Sequence, residues 1–236
     1  MRLLVPSLVL LISPFPAMAS GAEPISILPI GDSITQGGKR DREEYTYRWS
    51  LGKILSEKGV AYDFIGTRRR GLHGDATWPD IAGQPFDGDH EGYYGAKTAS
   101  VLEKLKKNLP KLSSPDFALI HLGTNDQKSA DHQAAIVEPL EEMIGQLRER
   151  NPTIVILIGH LNFNGGAALK IRPLVEEMAE RLSTDESPVK TVHHYKDWIE
   201  NPKRQGTDTF DWAHPNRQGQ EKMARAWWEA MEPYTR

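Results

Sequence analysis

The chain has 236 residues, 39% hydrophobic and 26% charged, which suits one globular α/β domain with a core large enough to enclose a pocket. A formal net charge of -3 gives no footing for a nucleic-acid partner, and local runs such as Arg68-Arg69-Arg70 read as a solvated loop. With no cysteine, disulfides, thiolate metal sites and cysteine nucleophiles are all excluded.

In chain order, the first segment reads as a targeting signal rather than structure. Arg2 precedes the apolar run Leu3 to Ile12, and Ala17-Met18-Ala19 matches a small-residue cleavage site. Residues 1–19 are therefore expected to be a cleavable signal peptide, and 20–236 a single mature domain, secreted or periplasmic. The apolar run is too short to span a bilayer, and no later stretch approaches the roughly 18 apolar residues a membrane helix needs.

Five short, partly β-branched runs follow, as central strands of a parallel sheet should be: Ile25 to Ile30, Tyr62 to Gly66, Phe117 to Leu122, Ile154 to Gly159 and Val189 to His193. Between and after them, amphipathic patterns predict helices at about Tyr47 to Lys58, Ala99 to Lys107, Gln133 to Arg150, Ala167 to Ser183 and Asn216 to Glu232. This βαβ series predicts a three-layer α/β/α sandwich around a mostly parallel five-stranded sheet. The glycine-rich stretch from Arg68 to Tyr94 is the longest irregular segment, a length that in a compact domain usually carries function.

Ligands of such sheets bind beyond the carboxyl ends of the strands, so chemistry is sought there. The first strand ends in Gly31-Asp32-Ser33-Ile34-Thr35, the third in Gly123-Thr124-Asn125-Asp126, and the last helix is preceded by Asp211-Trp212-Ala213-His214-Pro215-Asn216. Singly, these have plain explanations: Asp32 or Ser33 as a helix cap, Asn125 and Asp126 as an Asx turn. Together they answer one chemical need. Ser33 supplies a nucleophile, His214 a general base and then acid, and Asp211, three residues earlier, an acceptor for the other ring N–H. The Asn125 amide and the Ser33 backbone N–H can serve a tetrahedral oxyanion, with a third donor expected from a glycine whose missing side chain lets the backbone approach closely.

These residues bring a family into view. The chain resembles the SGNH hydrolases, or GDSL-type esterases, through "GDSIT" at Ser33, "GYYGAKT" at Gly95, "GTND" at Asn125 and "DWAHPN" at Asp211 and His214. Within that family, "YRWSLGKIL", "YDFIGT" and "DHEGYYG" are similar to carbohydrate esterases of the acetylxylan esterase type. The resemblance implies a flavodoxin-like fold, ester hydrolysis without metal or cofactor, and Gly95 as the third oxyanion donor. The segment "LNFNGGAALKIRPLVEEM" departs from the usual pattern, which bears on substrate rather than mechanism.

The expected substrate is a small-molecule or polysaccharide ester, an O-acetylated sugar first. Tyr93, Tyr94, Trp212 and Trp78 are the aromatic candidates for holding a sugar, with Asp32 beside the nucleophile; packing of the catalytic loops is the competing role for the aromatics. A lysophospholipase or acyl thioesterase is the enzymatic alternative, and a carbohydrate-binding degenerate esterase the non-enzymatic one. For metals, His73, His90, His121, His160, His193 and His194 look scattered, H-E-x-x-H is absent, and His193 and His194 should face opposite ways. Asp87, Asp89 and Glu91 could hold calcium in the 68–94 loop, although His90 and Glu91 are better placed to brace the segment carrying Gly95.

Overall fold

The structure is a computed structural model and describes residues 23–39, 45–74 and 78–235. The expected signal peptide lies outside the described residues.

The strands are β1 (Ile25–Gly31), β2 (Tyr62–Phe64), β3 (Glu91–Gly92), β4 (Phe117–His121), β5 (Val155–Gly159) and β6 (Val189–Val192). All pair in parallel, in the order β2-β1-β4-β5-β6. The sheet has six strands rather than the five expected, because β3 joins it from inside the long 68–94 segment. Ile25 to Ile27 of β1 pair with β2, and Ile30 and Gly31 pair with Glu91 and Gly92, so β3 takes over where β2 stops. A two-residue strand carries no period-2 pattern, which is why the sequence hides it.

The main helices are α2 (Thr46–Glu57), α3 (Thr98–Asn108), α4 (Glu138–Arg150), α5 (Ala168–Leu182) and α6 (Arg217–Met231), with a single turn, α1 (Ser33–Gln36), directly after β1. The helix expected from Gln133 instead starts as a π-turn over Gln133–Val137 and becomes α-helical at Glu138. Pro139 explains the change: it has no N–H to give to the carbonyl four residues back, so the preceding turn is free to widen.

Strand side chains alternate between two cores. Leu28, Ile30, Ala118, Ile120, Ile156 and Ile158 face α3, α4 and α5. Ile27, Phe117, Leu119, Val155 and Leu157 face α2 and α6. A strand buried on both faces must be apolar at every position, which is why β4 and β5 read as unbroken runs. Trp227 of α6 is fully buried and packs its ring edge-on to His194, centroids 4.6 Å apart. Truncating such a side chain to alanine costs about 3–5 kcal/mol, so this contact does much to hold α6, and the segment before it, against the sheet.

Candidate active site

The site forms at the carboxyl ends of β1 and β4 and in the turn that leads into α6. At the end of β1, Gly31 is required by crowding, because a Cβ there would lie 2.1 Å from the Thr35 hydroxyl and 2.7 Å from the His121 carbonyl. The chain then turns into α1, and Asp32 rather than Ser33 is the cap: its Oδ1 accepts from the Ile34 N–H at 3.0 Å. Capping by its neighbour leaves the Ser33 hydroxyl to another partner.

That partner is His214. Its Nε2 lies 3.0 Å from Ser33 Oγ, across 181 residues of sequence, and its Nδ1 lies 3.0 Å from both carboxylate oxygens of Asp211. A carboxylate only accepts, so Nδ1 carries the ring proton and Nε2 accepts from the serine hydroxyl. The Asp211 to His214 turn is fixed locally. Asp211 Oδ1 also accepts from the Ala213 and His214 N–H groups, both at 2.9 Å. The Thr209 hydroxyl sits 2.6 Å from the Asp211 carbonyl and 2.8 Å from that of His214. On the other side of the imidazole, the Tyr94 ring stacks at 5.4 Å between centroids and 16° between planes.

The Ser33 turn is held from α2. Thr46 Oγ1 lies 3.1 Å and 3.2 Å from the carbonyls of Ile34 and Thr35. Arg48, completely buried, donates Nε to the Thr35 carbonyl at 2.8 Å, Nη2 to that of Gln36 at 3.1 Å and Nη1 to that of Gly88 at 2.7 Å. One guanidinium thus ties the serine turn to the long loop, and burial lowers its pKa to about 10. Neither Thr46 nor Arg48 is singled out by the sequence. The available signal is a charged residue inside the apolar pattern Tyr47, Trp49, Leu51, a position an ordinary helix would fill with a core side chain.

Asn125 lies in the Thr124–Asp126 turn after β4. Its Nδ2 donates to the Ala96 carbonyl at 2.9 Å and, more loosely, to Asp32 Oδ2 at 3.3 Å. Asp126 plays a separate part, since its Oδ2 accepts from the Thr98 N–H at 3.0 Å and hydroxyl at 2.8 Å at the start of α3. Asp32 is fully buried, and loss of hydration raises its pKa to about 6, against the lowering pull of the Ile34 N–H.

Gly95 sits one residue from Ala96 with φ 71°, and a Cβ built on it meets nothing within 4 Å. The expected reason for glycine, close backbone approach, thus has no counterpart in protein crowding at this position; the left-handed backbone is what calls for it. Among the described residues its N–H makes no backbone hydrogen bond. The segment is anchored to the serine turn by Tyr93 N–H to the Gly31 carbonyl at 2.9 Å and Tyr94 N–H to Gln36 Oε1 at 2.7 Å.

His90 and Glu91 brace it as expected. His90 Nδ1 accepts from the Gly92 N–H at 2.8 Å, and burial holds this imidazole well below its ordinary pKa. Glu91 accepts from the Thr67 N–H and hydroxyl, each at 2.6 Å, from Asn108 at 3.1 Å and from the Tyr93 hydroxyl. The three acids weighed for calcium diverge: Asp87 binds the Phe64 N–H at 2.6 Å, Asp89 pairs with Arg69 at 2.7 Å, and Glu91 turns inward.

The aromatic candidates separate. Tyr94 joins the site through its stack on His214. Trp212 is 62% exposed beside Asp211 and stacks on Phe163 at 6.2 Å. Tyr93 is structural at its hydroxyl end, and Trp78 packs against Tyr45 and Phe86 with the Arg48 guanidinium over its ring at 5.9 Å. The histidines are less scattered than the sequence suggests. His193 and His194 follow β6 rather than lying on it; His194 packs on Trp227 and His193 on His160, and the ligand atoms of His160, Glu176 and His193 lie within 4.8 Å of one another. Burial lowers the pKa of both imidazoles, and the nearby Arg172 lowers them further, a positive charge that opposes a cation there.

Two spaces lie in this region, the first of them lined by Ser33 itself. One, lined by Ile34, Gly37, Thr46, His214, Pro215 and Gln220, has a volume of about 10 Å³. That is room for a water-sized or methyl-sized group. The other is an open groove of about 640 Å³ running past Gln36, Tyr94 and Gly95.

The structure thus has a six-stranded parallel sheet flanked by helices, with Ser33, His214 and Asp211 linked in series at its carboxyl edge. The chain belongs to the GDSL-like lipase/acylhydrolase family, matching it over residues 30–222, and so to a family of carboxylic ester hydrolases. A curated relative, the multidomain esterase of Ruminococcus flavefaciens, is 29% identical over 244 residues, covering 93% of this chain but only 30% of that protein. The fold is shared with a family 3 carbohydrate esterase of Clostridium thermocellum (TM-score 0.71, 22% identity, 90% of this chain and 98% of that one). It is shared as well with a family 3 carbohydrate esterase of Talaromyces cellulolyticus (TM-score 0.69, 19% identity, 89% and 98%). An acetyl esterase solved with an acetate ion is similar to the same extent (TM-score 0.72, 19% identity, 89% and 98%).

Proposed function

We propose that the chain is a serine esterase that removes O-acetyl groups from a carbohydrate, and that it is exported by the segment 1–19. The observation that carries the reading is the unbroken series Ser33 Oγ, His214 Nε2, His214 Nδ1, Asp211, with every link at 3.0 Å. Ser33 Oγ attacks the acetyl carbonyl carbon while its proton passes to His214 Nε2, and Asp211 stabilises the imidazolium that forms. The oxyanion is met by the N–H groups of Ser33 and Gly95 and by the Asn125 amide, whose weaker bond to Asp32 is the one to be exchanged. Collapse returns the proton to the sugar oxygen, which leaves as an alcohol. Water, deprotonated by the same imidazole, then releases acetate from Ser33.

The cavity of about 10 Å³ beside Ser33 and His214 supports acetyl over a long acyl chain, because a lysophospholipase or a long-chain thioesterase needs an apolar channel at that point. The carbohydrate esterases and the acetyl esterase that share the fold support the same choice. A binding module without catalysis would have no use for the aligned serine and histidine. The test is acetate release from acetylated xylan, pectin fragments and sialic acids, run beside p-nitrophenyl esters of increasing chain length. Acetate release from sugars together with a steep fall beyond short acyl chains is the expected result, and activity confined to long chains would overturn it.

A further inference from the structure

We infer that the groove beside Gly95 selects an anionic sugar, so that the preferred ester is an acetyl group on a carbohydrate bearing a carboxylate, such as a uronic acid. This rests on the esterase reading above and deepens it. The groove, about 640 Å³, is large enough for a few sugar units, and its described lining carries three cations, Arg68, Arg70 and Lys104, and no acid. The whole chain has a formal net charge of -3, so this concentration of one sign is local.

Two of these cations, Arg68 and Lys104, lie against an aromatic ring, with no carboxylate paired to them among the described residues. The Arg68 guanidinium lies 4.7 Å from the centroid of the Tyr93 ring, and Lys104 Nζ lies 5.3 Å from it. Arg68 Nε is buried with no hydrogen-bond partner, an unsatisfied donor at the groove wall. Among the described residues, two acids of this region are committed elsewhere: Asp89 pairs with Arg69, and Glu91 lies buried against Thr67, Asn108 and the Tyr93 hydroxyl. The Arg68 fork and the Lys104 ammonium, both seated on a ring face, suit a carboxylate, with Gln36 and Ser100 to meet sugar hydroxyls. Tyr94 is the wall shared with the catalytic site, since it lines this groove and stacks on His214. The acyl group then lies in the small cavity at Ser33 and Thr46, and the sugar extends past Tyr94 into the cationic groove.

The experiment compares kcat/KM for acetate release from an acetylated glucuronic-acid-bearing xylo-oligosaccharide and from a neutral acetylated xylo-oligosaccharide of the same length. The expected acidic-to-neutral ratio is about 10-fold at low salt, because several close cations act together, and it falls several-fold as NaCl is raised and the charges are screened. Lys104→Ala, at a partly exposed helix position that leaves the Arg68 backbone pairing intact, should lower the ratio through KM; Arg68→Gln should lower it further. In parallel, the Ser33→Ala protein titrated calorimetrically with both oligosaccharides reads binding without turnover and should favour the acidic one. A ratio near one in the unaltered protein, or a ratio unmoved by Lys104→Ala and by salt, overturns the inference and leaves the esterase reading standing. Failure to release acetate from either sugar or from p-nitrophenyl acetate overturns the esterase reading and the inference with it.

Discussion

The Tyr94 ring lies flat against the His214 imidazole, centroids 5.4 Å apart and planes 16° from parallel. Asp211 fixes one edge of the imidazole by hydrogen bonds, and Tyr94 fixes its face by contact. The histidine is thereby limited to small rotations about the line that joins Asp211 to Ser33. Tyr94→Ala should free the ring and lower kcat for p-nitrophenyl acetate by about 3- to 30-fold, since misorientation of a catalytic group by a fraction of an ångström is costly. Tyr94→Phe keeps the stacking surface and should stay within about 3-fold of the unaltered protein. Steady-state kinetics of both variants provide the check, and equal losses in the two would assign the role to the hydroxyl.

Asn125 is expected to act on kcat rather than on KM. Asn125→Ala removes the amide proposed for the oxyanion and should lower kcat by roughly 10²- to 10³-fold with little change in KM. A pure KM effect would move the residue to substrate binding, at the place where it now meets Ala96 and Asp32.

Arg48 links stability to the site. Arg48→Met would leave the carbonyls of Gln36 and Gly88 without the Arg48 donor in a buried place, and that of Thr35 with the Thr46 hydroxyl alone, a loss of about 2–5 kcal/mol. Arg48→Lys, with one ammonium in place of a planar fork, cannot reach all three and should recover only part of this. Urea unfolding followed by circular dichroism measures the loss; a change under about 1 kcal/mol for Arg48→Met would show that the guanidinium is dispensable.

Acid should destabilise the fold before it unfolds it. Burial lowers the pKa of His121 to about 4 and of His160 to about 3, and holds His90 and His194 well below their ordinary value. As pH falls from about 6.5, the unfolded chain takes up protons on these imidazoles while the native chain does not, so stability is lost with falling pH. For His121 the 6.5 to about 4 window corresponds to about 3 kcal/mol. Asp32 works the other way, since its pKa is raised from 3.8 to about 6 and its share of stability is lost as pH rises through 6. Burial likewise lowers the pKa of His193 and raises that of Asp87, and five imidazoles against two carboxyls give a net decline, which thermal melts between about pH 7.5 and 4.5 should record as a falling Tm. A Tm that is level over that range would contradict it.

Much of the architecture can be read from the chain because strands buried on both faces leave continuous apolar runs, and β1, β4, β5 and β6 each lie within about a residue of their expected limits. The proposed quartet Ser33, Asn125, Asp211 and His214 stands out in the chain for a different reason: each residue sits at a strand exit or helix entry. What stays hidden depends on distance in space alone. β3 is too short to have a period, and the change from π-turn to α-helix at Glu138 follows from one proline. The roles of Arg48, Thr46 and Thr209 are bonds to backbone carbonyls, for which no spacing rule exists. The convergence of His160, Glu176 and His193 likewise joins the ends of two strands to a helix face, positions that the sequence keeps apart.

That Ser33 is the nucleophile, held ready by His214 at 3.0 Å, is the claim on which the proposed chemistry turns. It is tested most directly by p-nitrophenyl acetate hydrolysis with purified protein and its Ser33→Ala variant, after circular dichroism has shown both to be folded. The expected result is a fall in kcat/KM on the order of 10⁴-fold or more. Equal rates in the two proteins would contradict it.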